Sequence, residues 1–224
     1  MNMLEYADRD LMMLHLADKI ASTLARMLDQ NDRASLAVAG GTSPGPVFDA
    51  LSGVDLDWSR VDVMLTDERW VGEDNPRSNT ALLKNRLLVD KAAAARLIPL
   101  YGGTDTPEES LDALSDAVAA ATPLSVVLLG MGEDMHTASL FPGADRLAEG
   151  LSPDAPPLLP MRAPGADEPR ITLTAPVLNG AMSKHLLIMG EAKRAALNAA
   201  TKAPDAMNAP VKAVLADMTV HWAA

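Results

Sequence analysis

Residues 124–136 read LSVVLLGMGEDMH. The first six are aliphatic apart from Ser125 and rich in valine, which predicts a short strand buried on both faces. Strands of that kind belong to parallel sheets, whose members are joined through helices. Glycines at 130 and 132 then turn the chain, and the segment ends on a histidine, His136.

Outward from this stretch the same pattern repeats. Upstream, SLAVAG at 35–40 and VDVMLT at 61–66 predict two more buried strands, and 96–101 a weaker one. Downstream, ITLT at 171–174, KHLLIM at 184–189 and a terminal segment at 219–222 predict three others. A further strand falls at 158–161, inside a region rich in Pro, Gly and Asp that spans 143–169 and is otherwise loop. Helical signals lie between the strands. Asp8 or Asp10 caps a helix running to about residue 29, with Leu11, Leu14, Ala17, Ile20 or Ala21, Leu24 and Leu28 at helical spacing. Shorter helices are predicted at 47–51, at 79–88 behind a Ser78 or Asn79 cap, and from a Thr106/Glu109 capping box to about 121. Others fall at 176–182, 191–200 and 208–217, while 67–78 reads as a polar loop. The expected architecture is α/β, a mostly parallel sheet with helices on both faces, in a single domain over 1–224.

Composition narrows the function. Hydrophobic residues make up 48% of the chain and aromatic ones 3%, which suits an aliphatic core and excludes a disordered chain. The net charge of -11 repels nucleic acids and anionic membranes, so neither is expected as a partner. An anionic substrate would need a local cluster of cations and backbone N–H groups. The absence of cysteine removes disulfides, thiolate nucleophiles and Cys-bound metals. No stretch approaches the roughly 18 apolar residues of a membrane span, and the first ten residues hold no secretory apolar run. A cytoplasmic protein is expected, as a monomer or small homo-oligomer.

Four polar motifs each follow a predicted strand: Gly40-Gly41-Thr42-Ser43, Asp67-Glu68-Arg69, Gly130 to His136, and Gly190-Glu191-Ala192-Lys193. Ligands of open α/β sheets bind beyond the carboxyl ends of the strands, so parallel strands would carry these loops to one crevice. The Gly40–Ser43 loop suits phosphate, because its glycines let backbone approach an anion and its hydroxyls donate. Taken alone it is also an ordinary strand-to-helix turn. Arg69 and Lys193 would supply the local positive field. Asp67 and Glu68 either pair with those cations, orient a hydroxyl or face solvent. His136 is the candidate for acid–base work near neutral pH; His15, His185 and His221 fall on packing elements. Glu133, Asp134 and His136 lack the second His or the Cys of usual zinc spacing, so no metal is assigned.

These motifs together resemble the 6-phosphogluconolactonase family. The resemblance rests on AGGTSP at 39–44, TDERWV at 66–71, Ser78-Asn79, LGMGEDMHTASLFPG at 129–143, PRITLT at 169–174 and GEAK at 190–193. The run from His136 to Gly143 is its most specific part. It implies a modified Rossmann-like fold shared with sugar-phosphate isomerases and glucosamine-6-phosphate deaminases, a sugar-phosphate substrate and no cofactor. It implies a phosphate site at Gly40, Gly41, Thr42, Ser43, Arg69 and Lys193, with Arg170 as a further cation, and His136 as general base. One position departs: the family usually reads Asp-Gly-His where this chain has Asp134-Met135-His136. If that backbone takes φ > 0, Met135 is strained by about 1–3 kcal/mol.

The expected chemistry is hydrolysis of a δ-lactone. His136 would take a proton from water and return it to the leaving ring oxygen, with Asp134 or Asp67 orienting the imidazole. N–H groups of 130–132 or a nearby cation would hold the oxyanion. Two alternatives stand beside it. An amino-sugar-phosphate deaminase or isomerase on the same scaffold typically carries Asn-Glu-Pro where this chain has Ser139-Leu140-Phe141-Pro142. A sugar-phosphate sensor without turnover would bind but not hydrolyse.

Overall fold

The computed structural model describes residues 1–224. Two parallel strands and the first long helix set the frame: β1 (Asn2–Glu5), α1 (Arg9–Gln30) and β2 (Ala34–Val38). They are followed by α2 (Gly45–Ser52), β3 (Val61–Leu65), β4 (Asp67–Arg69), α3 (Asn79–Arg86), β5 (Arg96–Leu97) and α4 (Leu111–Ala119). The second half holds β6 (Val126–Gly130), α5 (Leu147–Leu151), β7 (Leu158–Met161), β8 (Arg170–Leu173) and α6 (Ala175–Asn179). It closes with β9 (Ser183–Met189), α7 (Gly190–Lys202) and β10 (Thr219–Ala223).

Seven strands form one sheet in the order β1-β10-β9-β6-β2-β3-β5, every pairing parallel. The chain builds outward from β2 to β3 and β5, then returns to β6 and builds the other way. The order therefore reverses between β2 and β6, and a crevice opens at their carboxyl ends. A second, antiparallel sheet of β4, β8 and β7 stands beside it. The expected parallel α/β sheet is present; the antiparallel one adds a feature that local pattern did not reveal.

Most predicted elements stand where expected, with six corrections, the first being that residues 147–151, inside the region expected as loop, form α5. Residues 67–69, expected as loop, form β4, because Asp67, Glu68 and Arg69 pair in register with Thr172, Ile171 and Arg170. Residues 2–5 form β1, whose only ladder partner is the C-terminal β10. The strand expected over 96–101 shrinks to two residues. The predicted capping box at Thr106 becomes a side-chain hydrogen bond to Glu109, leading into a 3-10 turn at Pro107–Ser110 before α4 begins. The last expected helix is likewise a 3-10 turn, Pro210–Val214.

α1 starts where predicted. The Asp8 carboxylate accepts from the Leu11 N–H at 2.8 Å, a cap worth about 1 kcal/mol. Its buried face is Met12, Met13, Leu16, Ala17, Ile20, Ala21, Thr23, Leu24 and Leu28. Leu11 and Leu14, expected in that stripe, are 52% and 62% exposed. At about 100° per residue Leu11 lies on the side opposite Ile20, so geometry overrides its hydrophobicity.

Three of the four histidines join in a chain of hydrogen bonds through the sheet. Tyr6 Oη lies 2.6 Å from His15 Nδ1 and 2.8 Å from His221 Nδ1. His221 Nε2 meets His185 Nδ1 at 3.0 Å, and His185 Nε2 meets the Ser183 hydroxyl at 3.0 Å. Burial lowers His185 to about 4 and His221 to about 3, with nearby positive groups pushing the same way. Both are neutral packing residues.

Candidate active site

β9, β6, β2 and β3 are neighbours and parallel, so their carboxyl ends deliver all four polar loops to one face. There they enclose a cavity of about 290 Å³. Gly40, Gly41, Ser43, Asp67, Arg69, His136, Arg170 and Lys193 line it, as does Asn79. Thr42 and Asp134 do not. Thr42 is exposed, and its carbonyl accepts from the Gly45 N–H.

The loop after β2 keeps its donors free. None of the N–H groups of residues 40–43 donates to another backbone group or a side chain. Four successive N–H groups are thus without a protein acceptor on a loop that lines the cavity. A Cβ at Gly40 would fall 2.1 Å from the Asn79 side chain, so only glycine admits that amide to the cavity wall.

The loop after β6 is tightly closed. Gly132 N–H donates to the His136 carbonyl at 2.9 Å, Met135 N–H to the Gly132 carbonyl at 3.1 Å, and Thr137 Oγ1 to the Gly130 carbonyl at 2.8 Å. The Val211 N–H ties down the Met135 carbonyl from the C-terminal 3-10 turn. Met135 sits at φ 67°, so the strain expected there is present. The turn places Asp134 Oδ1 2.5 Å from His136 Nδ1. A Cβ at Gly132 would fall within 2.2 Å of both groups, so glycine is what allows the pair. With Nδ1 held by a carboxylate, Nε2 is the nitrogen left for chemistry.

Asp67 makes no bond to the imidazole, so of the two candidate carboxylates Asp134 is the one that bonds it. The Ser139 hydroxyl donates to Asp67 Oδ2 at 2.6 Å, and the Ser139 N–H donates to Thr172 Oγ1 at 3.1 Å. These bonds tie the His136 loop to the antiparallel sheet. The Gly132 N–H, a candidate oxyanion donor, is spent inside its own loop. Glu68 is fully buried and serves α3: its oxygens accept from the Asn79 and Thr80 N–H groups at 2.9 and 2.7 Å. A carboxylate there satisfies open helix donors and complements the dipole.

The cations come from three elements. Arg69 on β4 lies directly across from Arg170 on β8, and Lys193 reaches in from the first turn of α7. None of the three is in an ion pair. The Nε atoms of both arginines are buried without a hydrogen-bond partner. Burial lowers the Arg170 pKa, Asp67 opposes this and Arg69 adds to it, yet a guanidinium stays charged. Like charges placed opposite one another in a ladder repel, and an anion between them would relieve that repulsion.

Sequence reasoning missed Asn79 as a wall residue, having assigned it to a helix cap, and gave Phe141 no role. Phe141 stands in the wall with its ring against His136. Its place in the His136–Gly143 run was the available signal.

Comparison with known proteins fits this geometry. The family model described as glucosamine-6-phosphate isomerases/6-phosphogluconolactonase matches residues 7–222. A 6-phosphogluconolactonase of Rhizobium meliloti (strain 1021) is 42% identical over 214 residues, covering 93% of this chain and 92% of its own. One from Pseudomonas aeruginosa is 41% identical over 210 residues, covering 92% and 88%. The crystal structure of a 6-phosphogluconolactonase from Shewanella baltica OS155 superposes with a TM-score of 0.96 at 33% identity, covering 100% of this chain and 97% of its own. A monomeric glucosamine-6-phosphate deaminase shares the fold at a TM-score of 0.80 and 17% identity, covering 100% and 97%. The chain therefore belongs to the glucosamine-6-phosphate isomerase/6-phosphogluconolactonase family.

Proposed function

We propose that the protein hydrolyses 6-phospho-D-glucono-1,5-lactone to 6-phosphogluconate, the second step of the oxidative pentose phosphate pathway. The observation that carries this is one cavity holding a carboxylate-oriented imidazole beside three cations free of ion pairs. Similarity to 6-phosphogluconolactonases at 41–42% identity over nearly the whole chain supports the lactone over an amino sugar.

The phosphate is anchored by the free N–H groups of residues 40–43, by Ser43, and by Arg69 and Lys193. Asp134 accepts from His136 Nδ1–H and so keeps Nε2 unprotonated. Nε2 removes a proton from water as its oxygen bonds to the lactone carbonyl carbon. The resulting oxyanion is stabilised by Arg170, a cation already desolvated and in place. The C1–O5 bond then breaks, and His136 returns the proton to the departing ring oxygen. Water and lactone account for every atom of the product. The protein is proposed to act in the cytoplasm; no helix of the chain is long and apolar enough to cross a membrane.

The test is a coupled lactonase assay with spontaneous hydrolysis subtracted. Turnover is expected, with a loss of about 10²–10⁴-fold in His136→Ala and near-normal binding of 6-phosphogluconate. Near-normal turnover in that variant would sink the assignment. Ammonia release from glucosamine 6-phosphate would move it to the deaminase branch, and binding without turnover to a sensor.

A further inference from the structure

The chain has only two phenylalanines. Phe48 is fully buried in the core, the ordinary place for such a side chain. Phe141 lines the polar cavity and is partly exposed. Its ring centroid lies 4.3 Å from that of His136 at an interplanar angle of 36°. The Arg170 guanidinium lies 5.8 Å from the same centroid.

His136 needs such a neighbour. Its carboxylate partner is more than half exposed, and the imidazole itself is 30% exposed. Water competes for a hydrogen bond in that setting, so Asp134 alone is a loose tether. It fixes one nitrogen but leaves the ring free to swing about that bond. An aromatic face against the imidazole removes the freedom. It also attracts the imidazolium more than the neutral ring, because the quadrupole presents negative charge to a cation.

We propose that Phe141 is a positioning residue for the general base, holding the plane of His136 and favouring its protonated form while the proton is in transit. This rests on the lactonase assignment only for its kinetic consequences. The proton is taken from water at Nε2 and given to the ring oxygen; Phe141 exchanges nothing and steadies the ring between the two transfers. The other charged groups about His136 are Asp134 on its own loop, Arg170 from β8, Asp67 and Arg69 from β4, and Lys193 from α7. Of these, Arg170 also packs over the Phe141 ring, and the Trp variant keeps an aromatic surface for it while the Leu variant does not.

The test compares Phe141→Leu, which keeps apolar bulk, with Phe141→Trp, which keeps an aromatic face. The Leu variant is expected to lose about tenfold in kcat with KM within twofold, since one misaligned proton transfer is at stake. The acid limb of its kcat/KM profile should move to lower pH by about half a unit, the size of an exposed cation–π contact. The Trp variant should hold the wild-type limb. NMR titration of His136 in the free protein reads the same shift without lactone, so it stands even if the wild type proves not to be a lactonase. An unmoved titration in Phe141→Leu, or a shift shared equally by Leu and Trp, would overturn the proposal. If the Leu variant does not fold, Phe141→Met carries the same comparison.

Discussion

At the amino edge of the parallel sheet, Arg33 and Arg96 close on the buried carboxylate of Asp62, at 2.5 and 2.7 Å. At the carboxyl edge, Arg69 and Arg170 face each other across a ladder with no carboxylate in ion-pair reach. The residue types are the same and the outcomes opposite. Burial alone would raise the Asp62 carboxyl, but hydrogen bonds from Arg33 and then Arg96 outweigh it and hold it below its ordinary value. That cluster is satisfied within the protein and stabilises the fold. The other pair has no ion-pair partner in the protein and is the one proposed to meet the substrate, in the same region as the strained Met135 and four unspent N–H groups. Stability and function are thus drawn from opposite ends of the same strands.

Acid should break the folded side of this comparison most strongly. His185 and His221 are near 4 and 3 in the fold, against about 6.5 for a free imidazole. Above pH 6.5 neither state binds these protons. As the pH falls below that value the unfolded chain takes them and the folded chain does not. Stability is therefore lost by roughly 1.4 kcal/mol per pH unit for each imidazole, down to the folded values. Urea unfolding at pH 7 and pH 5 measures it; a flat response would refute the neutral relay.

Replacing Arg170 by Met should lower kcat by about 100-fold with KM little changed, the loss of one charge-assisted contact of ~3 kcal/mol made to the oxyanion. The melting temperature should hold or rise, because an unpaired buried charge is removed. A large loss of stability would show that Arg170 is structural and erase the contrast between the edges. Asp62→Ala is its mirror: a loss of about 2 kcal/mol in stability, moderated because the arginines left behind are partly hydrated, with kinetic constants unchanged. Altered kinetics there would couple the two edges. The smallest effect is Met135→Gly, which should stabilise by about 1 kcal/mol by relieving φ 67°, as read by thermal unfolding. No gain would mean that the Met135 side chain, packed against the core, offsets its own backbone strain.

The parts legible without coordinates were local ones. The aliphatic runs at 35–38, 61–65, 126–129 and 184–189, the Gly-rich turns behind them and the Asp8 cap each announce themselves within a few residues. So did the convergence of four loops, since it follows once the strands are parallel. β4 was not legible, because a strand of Asp, Glu and Arg has no hydrophobic signature and exists only by pairing with β8. β1 needed the far C-terminus in the same way.

By itself the sequence determined a parallel α/β fold and a polar edge ending in His136, since periodicity and turn chemistry are short-range. Tertiary structure alone decided that Arg170 faces Arg69, that Ser139 holds Asp67, that Asp134 rather than Asp67 takes the imidazole, and that Phe141 lies against it. Strand register and loop closure settle those contacts, and for the pairs drawn from distant segments no local pattern names the partner.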